Sequence, residues 1–169
     1  MSELAESITG ALARSFKEFR QRTHDLAAHL SDEQFWSKPH SYGNSFGHLA
    51  LHLTGNLNYY IGAQIAGTGY VRDRDREFTE DNPPPPQEVL RRLDEAVGMV
   101  MATLGRETEE TLTQSYEAVG AGEVVRDRLS IYLRCATHFH HHLGQMIYLE
   151  RELSERLPAP KSGLTRASS

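Results

Sequence analysis

Two histidine pairs stand at the spacing that lets one helix offer two imidazoles to a single ion: His48 with His52, and His138 with His142. Metal ligation by imidazole needs several neutral nitrogens within roughly 2.0 to 2.1 Å of one point, and residues four apart share a helix face. Nine histidines occur in 169 residues, and four of them fall between His138 and His142. On a wheel of the helix around them, the apolar sector passes through Tyr132, Ala136, Phe139, Leu143, Met146 and Ile147, with Ile131, Cys135 and Leu149 on one flank. His138 and His142 lie on that flank, whereas His141 points to the far side and His140 to the other edge. Of the second pair, His52 follows Leu49 by three positions and sits beside the core stripe, while His48 lies nearly opposite the line of Leu49, Leu53 and Leu57. Geometry thus nominates His52, His138 and His142. A site closed by three imidazoles keeps positions for water or substrate, the pattern of a catalytic rather than a structural ion. Paired histidines also arise by chance, so hydrogen-bonded core histidines are the competing reading. His24, His29, His40 and His141 are assigned to that class or to solvent.

The elements that must position these residues follow from the hydrophobic periodicity. Leu4, Ile8, Leu12, Phe16, Phe19, Leu26 and Leu30 trace one face of a long first helix from residue 3 to about 30. Ser31 to Gln34 forms a capping-box pattern for a short turn carrying Phe35 and Trp36, before Pro39 to Gly43 interrupts the chain. A second helix starts near Asn44 or Ser45 and runs to Gly67, carrying Phe46, Leu49, Ala50, Leu53, Leu57, Tyr60 and Ile61 on one face. Tyr70 to Pro86 reads as an ordered loop, its last proline suited to the first turn of a third helix that ends at Gly105. Residues 111 to 119 alternate weakly and could be extended; a fourth helix runs from about Glu123 to Leu153. Four long helices, with no internal repeat and no phosphate-binding glycine pattern, predict an all-α four-helix bundle over residues 1–157, with a loose tail at 158–169.

Composition narrows the function classes. The length suits a single core. Eighteen basic against 23 acidic residues, a net charge of -5, lack the cationic surplus that phosphate neutralisation needs, so no nucleic-acid partner is expected. No apolar run reaches bilayer-spanning length, and the opening residues do not read as a basic-then-apolar leader, so a cytoplasmic protein without membrane contact is expected. The single cysteine, Cys135, cannot form an intramolecular disulfide and reads as a small buried hydrophobe.

Residues 138–145, HFHHHLGQ, resemble the H-x-x-x-H-x-G-Q signature of the DinB-like superfamily of metal-binding four-helix bundles, which includes bacterial thiol-dependent transferases. Residues 45–53, SFGHLALHL, look like that superfamily's second-helix motif, whose histidine precedes a leucine about seven residues into the helix. The resemblance spans most of the chain. It implies ligands at His52, His138 and His142, zinc or nickel as the usual occupant, a completing water and a homodimer; ligand type alone equally fits copper or iron. Met99 and Met101, read as exposed, suit a dimer interface. Gly144 would then allow close helix approach, and Gln145 would hold a ligand by hydrogen bonding.

The same resemblance implies a small-molecule substrate and a low-molecular-weight thiol such as bacillithiol, mycothiol or glutathione. A divalent ion deprotonates a thiol near neutral pH and supplies a nucleophile without a protein cysteine, and hydrolysis by activated water uses the same site. Asn56, one turn beyond His52, is the candidate substrate contact. General-base and carboxylate-holding groups are sought in the run from Arg72 to Glu77, whose simpler reading is a set of surface ion pairs. The alternative to an enzyme is a stress-response or metal-binding bundle whose ion is structural.

Overall fold

Helix α1 (Glu3–Ala27) begins where the Ser2 hydroxyl accepts the Ala5 N–H and ends three residues short of Leu30. The computed structural model describes residues 2–79, 82–122 and 124–156. Both the tail at 158–169 and the expected helix start at Glu123 therefore lie outside the described residues. Helix α2 (Asp32–Trp36) realises the expected capping box: the Ser31 hydroxyl accepts the Gln34 N–H, and the Gln34 side chain accepts the Ser31 N–H. Helix α3 (Phe46–Leu57) is capped by Ser45 and passes without a break into a π-helical turn, Asn58–Ala63, that its periodicity did not signal. Gly67 and Gly69, at φ of 67° and 72°, then take the chain through left-handed backbone that other residues rarely adopt. Helix α4 (Pro86–Leu104) opens on the last proline of its run, as expected.

Two expectations change between α4 and the last helix. The segment at 111–119 is not a strand: α5 (Glu109–Leu112) occupies its start, and a single antiparallel bridge, Ser115 with Asp127, is the β pairing among the described residues. Helix α6 (Arg128–Arg156) consequently begins later than residue 123. The bridge holds the preceding chain out of helical geometry, and the Asp127 carboxylate accepts the Ser130 N–H at 2.7 Å, satisfying a donor of the first turn.

Apolar stripes on the four long helices meet in one core. Helix α1 packs on α4 and α6, and α3 packs on the same two, with α2 leaning on α3. Phe16, Phe46, Leu53, Leu93, Val97, Ile131 and Phe139 are almost completely shielded from solvent. Full burial of one such side chain is worth about 1.5–3 kcal/mol, so these stripes dominate the packing. Met99 and Met101 are half-buried and pack against this core rather than standing exposed. The protein is all-α, and no described helix is long and apolar enough to cross a membrane.

Candidate metal centre

Helix α3 carries His52 and helix α6 carries His138 and His142, and the α3–α6 packing brings their rings together. The Nε2 atoms of His52 and His138 are 3.3 Å apart, and those of His138 and His142 are 3.1 Å apart. One nitrogen from each ring lies within 4.8 Å of the others. Hydrogen bonds on the far sides fix what two of these nitrogens are. His52 Nδ1 is 2.8 Å from Glu77 Oε2. A carboxylate only accepts, so Nδ1 carries a proton, and in the neutral ring Nε2 is then the nitrogen with the lone pair. His142 Nδ1 likewise donates to Gln145 Oε1 at 2.7 Å, leaving its Nε2 unprotonated. Two lone pairs thus face a third imidazole nitrogen, and one proton from His138 cannot satisfy both at good geometry. A cation can, and the donor set suits a transition ion.

The loop after the π turn supplies the carboxylate. Asp75–Glu77 is a short 3-10 turn that tucks Glu77 inward. Arg72 grips it with both arms, Nε to Oε1 at 2.7 Å and Nη2 to Oε2 at 2.9 Å. Arg72 Nη2 also lies 3.3 Å from His52 Nδ1, but this longer approach follows from the shared Oε2 and cannot be a bond to a nitrogen already donating to Glu77. The pair is buried, so the reading of this run as surface ion pairs fails for Arg72 and Glu77; the rest of it, from Asp73 to Arg76, is exposed. Gly55 makes the approach possible, because a Cβ there would stand 2.0 Å from Glu77 Oε1. A mid-helix glycine costs about 1 kcal/mol relative to alanine, and that cost was the sequence's signal of close contact.

Electrostatics keep His138 and His142 in a ligating state. Burial pushes the Glu77 carboxyl up, but hydrogen bonds from His52 and Arg72, together with the Arg72 charge, hold it below its ordinary value. Burial, then the neighbouring His142 and His52 rings, draws His138 down to about 3. Burial also lowers His142, partly offset by Gln145. Neutral imidazoles beside an ionised carboxylate are the form that binds metal. His138 differs from its partners in one respect: its Nδ1 is buried with no hydrogen-bond partner among the described residues.

A pocket of about 660 Å³ opens onto His52 and His138, walled by Asn56, Tyr59, Tyr60, Tyr70, Arg72 and Arg134. Asn56 is buried there, and its Oδ1 has no partner among the described residues. The π turn delivers Tyr59 and Tyr60 to this wall; π turns are frequent at functional sites. Arg134 was not anticipated, although it precedes His138 by four positions on the same helix face.

The remaining sequence-nominated residues are elsewhere. His48 is buried rather than outward: the N-terminus of α3 is covered by Trp36, and His48 Nδ1 meets Ser45 Oγ at 2.6 Å. Gly144 is exposed and no neighbour crowds it, so it serves no close helix approach, whereas Gln145 does hydrogen-bond the His142 ring. Cys135 is fully buried and burial pushes its thiol up to about 12, as befits an inert core residue. His24 and His29 pair with Asp94 and Glu150, and His40 stacks on Tyr42.

Together, fold and site define an all-α protein in which three imidazoles from two helices can hold a metal ion at the wall of a polar pocket. Over residues 3–157, from α1 through α6, the chain matches the family described as "Protein of unknown function (DUF1572)", and it belongs to that family. Among curated proteins none matches the chain.

Proposed function

We propose that the chain is a DinB-like four-helix bundle in which His52, His138 and His142 hold a divalent transition metal, zinc or nickel, and that it transfers a low-molecular-weight thiol to a small electrophile. One observation carries this reading: unprotonated Nε2 atoms, fixed by Glu77 and Gln145, converge where a polar pocket begins. When bound, a divalent ion makes a thiol or water acidic enough to act as a nucleophile near neutral pH. The protein's own residues do the rest. Arg72 and Glu77 keep His52 in one tautomer and one orientation. Asn56, with its unpaired buried oxygen, receives a hydrogen-bond donor of the thiol or the substrate. Tyr59 and Tyr60 shield one wall of the pocket from water. In the transfer, sulfur bonds to the electrophilic carbon, the leaving group departs with its bonding pair, and the thiol proton passes to solvent.

The test is elemental analysis of untagged protein followed by monochlorobimane conjugation with bacillithiol, mycothiol and glutathione. Stoichiometric metal and conjugation with one thiol, both lost in His138→Ala, is the expected result. Metal-replete protein inert with every thiol removes the transferase reading. If metal removal then lowers only the melting temperature, the ion braces the helices and does no chemistry.

A further inference from the structure

Three arginines line the pocket, and they differ in what already occupies them. Arg72 is neutralised by its two-armed pair with Glu77, and Arg74 is exposed at the rim. Arg134 is half-buried. Its Nη2 donates to the Gly120 carbonyl at 3.1 Å, and its guanidinium carbon lies 4.8 Å from the centre of the Tyr60 ring. Its Nη1 is buried with no partner among the described residues. A guanidinium cannot shed its proton to escape burial, so the unmatched Nη1 has a standing cost, one that a small shift of the side chain toward an acceptor in the pocket would relieve. The ring face and the Gly120 carbonyl hold the fork in place, and Gly120 itself is needed because a Cβ there would lie 2.9 Å from Tyr60 Oη. The positioned cation stands one helical turn from His138.

We infer that Arg134 is a specificity-determining residue that anchors a carboxylate of the thiol co-substrate, so the pocket selects thiols carrying a carboxylate over uncharged ones. This rests on the metal-and-thiol reading above and deepens it. Guanidinium recognises carboxylate through paired, charge-assisted hydrogen bonds, and a shielded pocket strengthens them. Asn56 on α3 lines the same pocket, and its Oδ1, without a partner among the described residues, would accept an N–H or O–H of the same ligand after a small side-chain shift.

The experiment uses the full chain loaded with cobalt, whose sulfur-to-metal charge-transfer absorption reports thiol binding directly. The probes are 3-mercaptopropionate and 2-mercaptoethanol, which share a two-carbon thiol arm and differ in carboxylate against hydroxyl. Wild type is expected to bind the carboxylate probe about tenfold or more tightly than the Arg134→Gln variant does, the range for a hydrogen bond to a charged group. Arg134→Lys should retain part of that gain. Cobalt content and 2-mercaptoethanol affinity should be unchanged in both variants. Equal weakening of the two thiols in Arg134→Gln, or no effect on either, overturns the assignment. A protein that takes up no cobalt defeats the metal reading instead, and calorimetric titration of 3-mercaptopropionate into the metal-free protein then decides the subsite. Binding that Arg134→Gln abolishes supports it, and absence of binding in wild type overturns it.

Discussion

The start of α3 and the middle of α6 each present two histidines four residues apart, and the two regions use them differently. His138 and His142 turn both Nε2 atoms toward one point. On α3 the pair divides: His52 joins that point, and His48 is committed to Ser45 and the Trp36 ring. Exposure does not separate them, since His48 and His52 are 7% and 6% exposed. The difference lies in the partner of Nδ1. Ser45 Oγ can donate or accept and so leaves the His48 tautomer open, whereas Glu77 only accepts and forces the lone pair of His52 outward to Nε2. Spacing brings a histidine onto a shared face; the partner behind the ring then decides which nitrogen His52 turns toward the cluster.

The sharpest way to break the comparison is to remove one histidine from each region. His138→Ala should reduce metal in untagged protein from stoichiometric to background, while His48→Ala should leave it stoichiometric, both read by elemental analysis. Glu77→Ala should weaken metal binding by roughly 10- to 100-fold in a chelator competition, because the ring loses the acceptor that fixes its tautomer. The same change strands the Arg72 charge and should destabilise the fold by about 3–5 kcal/mol in denaturant unfolding, the cost of breaking a buried pair. Gly55→Ala should weaken metal binding in the same direction by displacing Glu77 from α3.

Acid provides an intermediate effect. His138 and His142 are held below the ordinary imidazole value of 6.5 in the folded protein, so on lowering the pH the unfolded chain takes up their protons first. Stability of the metal-free protein is therefore complete above about pH 6.5 and is lost as the pH falls toward about 3. Glu77, also held low, adds to the loss below its ordinary 4.5. Thermal melts of metal-free protein across this range should show the decline, and His138→Asn should make it shallower. The smallest effect belongs to His48→Ala, for which a stability loss of about 1 kcal/mol matches one broken hydrogen bond, with metal affinity unchanged.

Much of this arrangement is legible in the chain. The apolar spacing marks α1, α3, α4 and α6, Ser31 and Gln34 mark a capping box, and Pro86 marks a helix start. His52, His138 and His142 follow from position on those faces. Less legible was anything that depended on a non-periodic segment. The start of α6 shifted because the bridge between Ser115 and Asp127 competes with helix, and the burial of His48 depends on where Trp36 lands.

By itself, the sequence determined the helical periods and therefore which side chains share a face, because a 3.6-residue repeat is a local property of the chain. Only the tertiary structure decided that Glu77, 25 residues from His52, reaches it through the gap at Gly55, and that Arg134 enters the same pocket. Loop paths are set by the surfaces they pack against rather than by any repeat of their own, so a carboxylate in a run of mixed charges acquires its role only once the helices have met.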